Sequence, residues 1–132
     1  MVMSQSQNVL VLIVEDEVLV RLVACDGLEA AGFTVVEAND AQEALDILAS
    51  RSDIGVLFTD VNMPGALDGL DLAELVHLRW PHIKLVVTSG KMLERTVPEE
   101  GRFIAKPYSL KKMTDVVAEI SHPPRSTSEP VC

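Results

Sequence analysis

Five short apolar runs restrict what this chain can fold into more than any other feature of its sequence. The first run, at positions 9–14, is continuous rather than alternating, as is typical of a parallel strand that is covered on both faces of a sheet, and the run at 34–38 has the β-branched content of a strand. We therefore predict strands at positions 9–14, 34–38, 56–60, 83–88 and 102–105. Strands that alternate with helices favour parallel pairing and right-handed crossovers. The predicted fold class is α/β, a doubly wound five-stranded parallel sheet.

Helical spacing of apolar residues marks the segments between most of these strands. In the first helix the apolar positions are Leu19, Leu22, Val23 and Leu28, and Gly32 follows as a C-terminal glycine. The other helices begin or end at typical cap and stop residues. These residues are Asn39 or Asp40 before the second helix, Trp80 and Pro81 after the third, and Ser109 before the last.

Length and charge narrow the class of protein. The 132 residues correspond to one domain with a hydrophobic core, and the net charge of −9 argues against a nucleic-acid-binding surface. No segment has the apolar length of a membrane span, and the first eight residues lack the features of a signal peptide, so we expect a cytoplasmic protein. We expect the domain at residues 8–121, with disordered segments at 1–7 and 122–132.

Polar side chains fall at the carboxyl ends of four of the five predicted strands. Glu15 and Asp16 follow the first strand, Asp60 ends the third, Thr88 ends the fourth and Lys106 follows the fifth. A single parallel sheet delivers all of these ends to one edge, which is where ligands bind in open α/β sheets. We therefore expect these side chains to form one site. For any single one of them, a simpler role as a turn or helix-terminus residue remains open.

Clustered carboxylates repel one another unless a cation joins them, and a hard divalent cation prefers oxygen ligands. Asp16 and Asp60 can supply carboxylates to Mg²⁺, and the backbone carbonyl of Asn62 can supply a third oxygen. Lys106 and Thr88 would then face the same pocket and bind phosphoryl oxygens. Because carboxylates can act as nucleophiles that form aspartyl-phosphates, we interpret Asp60 as a phosphoryl acceptor.

Four short motifs in this order and at this spacing resemble a response-regulator receiver domain over about residues 8–121. They are the segments 11–17, 59–65, 87–90 and 105–108. The resemblance implies a flavodoxin-like strand order of 2-1-3-4-5. It also implies the roles of the site residues: Asp60 as phosphoacceptor, Asp16 as metal ligand, Asn62 as ligand through its carbonyl, Glu15 as ligand through a water, Thr88 as switch hydroxyl, Lys106 as phosphate-binding cation and Phe103 as switch aromatic. For Phe103, simple packing in the strand is an equally good interpretation.

The chain departs from the common receiver pattern between Thr88 and Lys106, where the interval is short and Pro98 leaves little room for a helix. We therefore predict a shortened or missing fourth helix and doubt dimerisation through that surface, so we expect a monomer or weak dimer. These features are similar to those of receivers attached to hybrid sensor kinases and their stand-alone relatives.

The resemblance implies a phosphorelay protein that takes a phosphoryl group from a sensor histidine kinase or a histidine phosphotransfer protein. It would use Mg²⁺, for which Mn²⁺ can substitute, and would signal through protein–protein contacts without a DNA-binding output domain. It would not be a turnover enzyme, although it would catalyse its own modification. Two alternatives remain: a phosphatase or phosphotransferase using an aspartyl-phosphate, which Asn62 in place of a second acid disfavours, and an interaction module that is never phosphorylated.

Overall fold

A computed structural model describes residues 9–121, in which strands and helices alternate over most of the chain. The predicted disordered segments at 1–7 and 122–132 lie outside the described residues. The elements in chain order are β1 (Leu10–Val14), α1 (Val18–Ala30), β2 (Thr34–Ala38), α2 (Ala41–Ser50), β3 (Ile54–Asp60), α3 (Gly69–Arg79), β4 (Lys84–Ser89), β5 (Arg102–Ala105) and α4 (Leu110–Ser121).

All five strands pair in parallel in the order β2-β1-β3-β4-β5. The predicted fold class and strand order are therefore confirmed. Backbone hydrogen bonds continue beyond the strand ends, where Val61 donates to the carbonyl of Thr88 and Lys106 donates to the carbonyl of Ser89. These bonds align the carboxyl ends of β3, β4 and β5 at one edge of the sheet.

Two hydrophobic layers cover the two faces of the sheet. Residues of β1 alternate between them, with Leu12 on one side and Ile13 on the other. The first layer contains residues of α2 and α3, and the second contains residues of α1 and α4. The three central strands β1, β3 and β4 are therefore largely buried, which accounts for their mostly apolar sequences, whereas the edge strands β2 and β5 are partly exposed.

Between β4 and β5 the described chain contains no helix, as the short interval between Thr88 and Lys106 predicts. Residues 90–101 form an irregular segment in its place. Leu93 and Val97 of this segment pack against the layer formed with α2 and α3.

The start of α3 packs against the backbone at the end of β3. Asp68 caps the helix: its side chain accepts a hydrogen bond from the backbone N–H of Asp71, and its own backbone N–H donates to the side chain of Asp71. Gly69 donates its backbone N–H to the carbonyl of Val61 at 2.8 Å. A side chain at Gly69 would collide with the backbone carbonyl of Asp60, so only glycine permits this approach.

Candidate functional site

Three carboxylates converge at the edge of the sheet where β1 and β3 end. Glu15 and Asp16 directly follow β1, and Asp60 is the last residue of β3. One carboxylate oxygen from each residue lies within 4.8 Å of the other two. Glu15 and Asp60 are only 4% and 6% exposed, whereas Asp16 is more accessible. The pairing of β1 with β3 thus brings together acidic groups that are far apart in the sequence.

Lys106 supplies the positive charge that faces this cluster. Its ammonium Nζ lies 3.1 Å from Oε1 of Glu15 and 3.3 Å from Oδ1 of Asp60. The residue follows β5 directly, and its backbone is held by the bond to Ser89 on β4. The fold therefore places one cation between two buried carboxylates.

The pKa values of these groups reflect burial and mutual charge. Burial raises the pKa of Asp60, Asp16 adds to the rise, and Lys106 opposes it. Burial likewise raises the pKa of Glu15, with a smaller contribution from the charge of Asp60. For Lys106 burial acts to lower the pKa, but the hydrogen bond to Glu15 and the two carboxylate charges outweigh it, so the pKa rises. One lysine does not offset three acidic groups, and the site remains attractive to a further cation.

The donor set of this pocket fits a hard divalent cation such as Mg²⁺. Its close ligand atoms are all carboxylate oxygens, and Mg²⁺ is commonly held by one or two carboxylates with waters completing the shell. Asp16, the most accessible of the three, opens the cluster to solvent, so a cation and its waters can enter.

Thr88 and Asn62 lie beside the acidic pocket on the side of β4. Thr88 pairs in register with Asp60 across the sheet, and its hydroxyl is buried without a hydrogen-bond partner among residues 9–121. A buried hydroxyl without a partner is uncommon and is available to an incoming acceptor. The side-chain amide of Asn62 lies 3.4 Å from the hydroxyl oxygen of Ser89. That the Asn62 carbonyl binds metal stays a prediction.

Phe103 lies on β5, outside the acidic pocket, and pairs with Val87 of β4 in the sheet register. Its side chain is 41% exposed, so it is not the fully packed core residue that one of the two interpretations envisaged. Its role as a switch residue stays a prediction.

An apolar groove adjoins the pocket, and the sequence did not reveal it. The groove has a volume of about 720 Å³ and lies between the start of α1 and the segment that joins β5 to α4. Leu19 and Val23 of α1 line it and are 76% and 54% exposed, and Lys106 forms part of its wall. The only sequence feature that could have indicated the groove is that apolar residues occur on most sides of α1. They cannot all face the core, so some of them must be exposed.

The sequence and the fold were compared with known proteins. A family model described as the response regulator receiver domain matches residues 11–118. The chain is similar to the sensor kinase CckA of Brucella abortus strain 2308, with 34% identity over 121 residues that cover 87% of this chain. It is also 34% identical over 113 residues, 82% of the chain, to the response regulator FleR of Pseudomonas aeruginosa. The chain spans only 13% of the length of CckA and 24% of FleR.

Solved structures share the fold. The crystal structure of the receiver domain from the hybrid histidine kinase CckA aligns with a TM-score of 0.74 and 33% identity, covering 85% of this chain and 98% of that domain. A response regulator receiver protein from Sinorhizobium medicae aligns with a TM-score of 0.81 over 88% of this chain and 96% of the other, at 23% identity. Within residues 9–121, no helix is long and apolar enough to cross a bilayer.

Proposed function

Because this chain belongs to the response regulator receiver domain family of two-component signalling, we propose that Asp60 accepts a phosphoryl group from a phosphohistidine. The donor is a sensor histidine kinase or a histidine phosphotransfer protein. The observation that carries the proposal is the convergence of three carboxylates and Lys106 at the end of β3, where the Asp60 carboxylate lies within 4.8 Å of Glu15 and Asp16 and 3.3 Å from the Lys106 ammonium. A carboxylate so placed can act as the nucleophile of a phosphoryl transfer.

In this reaction an oxygen of Asp60 attacks the phosphorus, the P–N bond of the phosphohistidine breaks, and its electron pair returns to the imidazole. Asp16 and Asp60 would hold Mg²⁺ directly, the carbonyl of Asn62 would add a ligand, and Glu15 would act through a water. When bound, Mg²⁺ neutralises charge on the transferring phosphoryl oxygens, and Mn²⁺ can replace it.

Two further side chains of the chain act on the phosphoryl group. The Lys106 ammonium, now held by Glu15 and Asp60, binds one phosphoryl oxygen. The unpartnered hydroxyl of Thr88 donates a hydrogen bond to another oxygen. Movement of Thr88 toward Asp60 shifts an equilibrium between two conformations, with Phe103 following, and this changes the surface that a partner protein meets.

The groove beside α1 is the docking surface for the phosphohistidine donor. It is mainly apolar, Lys106 forms part of its wall, and Leu110, which also lines it, is 44% exposed. A partner helix that fills such a groove with apolar side chains can bring its histidine to the acidic pocket. One structural neighbour, the receiver domain of the yeast regulator Ssk1, was crystallised with the histidine phosphotransfer protein Ypd1.

The proposed receiver unit extends over residues 8–121 and acts as a monomer or weak dimer in the cytoplasm, where ATP-dependent kinases form phosphohistidine. It passes its signal on through protein–protein contacts. It is a phosphoacceptor that catalyses its own modification rather than an enzyme with a separate substrate.

The direct test is the intact mass of the protein after incubation with acetyl phosphate and Mg²⁺. We expect a single phosphate adduct that is absent without a divalent cation and absent in Asp60→Asn. Asp53→Asn is the matched control, since Asp53 is 58% exposed and, among residues 9–121, its carboxylate pairs with Arg51 alone.

A folded protein that gains no adduct from acetyl phosphate or from phosphohistidine donors would identify an interaction module that is never phosphorylated. An adduct that persists in Asp60→Asn would show that the acceptor is a different residue. Either result would overturn the proposal.

A further inference from the structure

Arg21 lies on α1 beside the acidic cluster, and its guanidinium joins three neighbouring groups. Its Nε donates to Glu37 at 2.9 Å, and its Nη1 donates to the side-chain oxygen of Asn39 at 2.7 Å and to the backbone carbonyl of Glu15 at 2.6 Å. The side chain is only 13% exposed. Arg21 therefore connects the segment that follows β1 with the end of β2 and the residue after it.

The bond to the carbonyl of Glu15 acts on the two acidic residues that follow β1. That carbonyl belongs to the planar peptide unit that joins Glu15 to Asp16, so fixing it restricts the backbone of both residues. The backbone N–H of Glu15 is fixed as well, since it donates to the carbonyl of Ala38 at 3.2 Å. Without the bond from Arg21, Asp16 could turn toward solvent and away from Asp60, because these like charges repel.

We propose that Arg21 is a positioning residue for the cation site, which it acts on through the backbone of Glu15 and Asp16 and not by contact with the cation. The inference rests on the proposed function, because it assumes that these carboxylates bind Mg²⁺. A planar guanidinium suits this role because its separate N–H groups reach acceptors in three directions at once, which a lysine ammonium on a flexible chain does less well.

The test is calorimetric titration of the unphosphorylated full chain with Mg²⁺. We expect Arg21→Gln to weaken Mg²⁺ binding by about 10- to 100-fold, the usual effect of removing a group that supports metal ligands. Arg102→Gln is the control for the lost charge, since Arg102 pairs with Glu119 at the surface and should leave Mg²⁺ affinity unchanged.

A second readout separates positioning from a general structural role. At saturating Mg²⁺ the Arg21→Gln protein should gain the same phosphate adduct as the unaltered protein, because every group that contacts the phosphoryl remains. Arg21→Lys should restore only part of the affinity. Loss of the adduct at saturating Mg²⁺ would contradict positioning and indicate a broader defect.

The double variant Glu37→Gln, Asn39→Ala removes two anchors of Arg21 at exposed positions, so it tests the inference even if Arg21→Gln does not fold. We expect a smaller but measurable loss of Mg²⁺ affinity. Unchanged Mg²⁺ affinity in folded Arg21→Gln would overturn the proposed role of Arg21 and leave the proposed function standing. If Arg21→Gln does not fold, unchanged Mg²⁺ affinity in the double variant would have the same meaning. If the unaltered protein binds no Mg²⁺, the proposed function fails and this inference fails with it.

Discussion

At the scale of single residues, Lys106 stands out because its ammonium lies between two buried carboxylates. Its ammonium contacts Glu15 and Asp60 at 3.1 and 3.3 Å while its side chain is 22% exposed. In the cation-free protein it offsets the repulsion between these carboxylates. During phosphoryl transfer the same ammonium can move from a carboxylate oxygen to a phosphoryl oxygen that lies close by.

We predict that Lys106→Met slows phosphorylation of Asp60 by acetyl phosphate by about 100-fold or more, the usual effect of removing one donor that stabilises a transition state. Mass spectrometry at successive times after mixing measures the rate. Lys111→Met is the matched control, because Lys111 is 84% exposed and its ammonium pairs with Asp115 alone within the described part of the chain. Equal rates in the unaltered protein and Lys106→Met would show that Lys106 does not contact the phosphoryl group.

At the scale of elements, the start of α3 depends on the absence of a side chain at Gly69. We predict that Gly69→Ala lowers the free energy of unfolding by about 1–3 kcal/mol, because the added methyl group displaces the backbone of Asp60. Urea unfolding measures the change. Gly55→Ala is the control, since a side chain there would meet only ordinary contacts, the nearest 3.5 Å away at Val9. A stable Gly69→Ala protein would show that α3 can shift without cost.

The exposed face of α1 is expected to matter for partner binding and not for folding. Ala24, Cys25 and Leu28 face the core, whereas Leu19 and Val23 line the groove. We predict that Leu19→Ser with Val23→Ser lowers the rate of transfer from a phosphohistidine donor by about 10-fold or more, since each apolar anchor lost at an interface costs at least about 1 kcal/mol.

Labelling by acetyl phosphate provides the control within that experiment, because a small donor needs no docking surface and its rate should stay unchanged. Leu78→Ser is the matched substitution, on α3 and 77% exposed. A normal rate from every phosphohistidine donor tested would place the docking surface elsewhere.

Local sequence predicted the elements well, because apolar runs, cap residues such as Asp40 and Ser109, and the terminal Gly32 each act on neighbouring residues. Parallel pairing then followed from the alternation of elements, and it brought Glu15 and Asp60 together. The contacts of Arg21 were not predictable, since they depend on which side chains a long guanidinium reaches across three elements. Nor could helical spacing tell which apolar side of α1 would face outward.

At the scale of the whole molecule, the raised pKa values of Asp60 and Glu15 couple stability to pH. A carboxyl group whose pKa is higher in the folded than in the unfolded chain stabilises the folded state most at low pH. That contribution is complete below the unfolded pKa and is lost as the pH rises through the folded pKa. The cation-free protein should therefore lose stability as the pH rises above the usual carboxyl range.

We predict that Mg²⁺ stabilises the protein more at neutral pH than in acid, because it binds the ionised carboxylates. At about 100 times its dissociation constant it should add about 2.7 kcal/mol to the free energy of unfolding. Tm measured with Mg²⁺ and with EDTA across this pH interval tests the prediction. Asp60→Asn should reduce the effect and Asp53→Asn should not, and an equal gain in Tm at acid and neutral pH would contradict it.

The segment in place of a helix between β4 and β5 is joined to α3 by charge, in addition to the packing of Leu93 and Val97 against the apolar layer. Arg95 lies 3.0 Å from Asp68, 2.9 Å from Asp71 and 3.6 Å from Glu74, and all four side chains are between about one third and one half exposed. Dissolved ions screen pairs of this kind, whereas they leave the packing of an apolar helix face intact. The segment that carries Arg95 lies next to Asn62 and Ser89. Its attachment to α3 consequently weakens as ionic strength rises, so the salt concentration around the protein also affects this part of its surface.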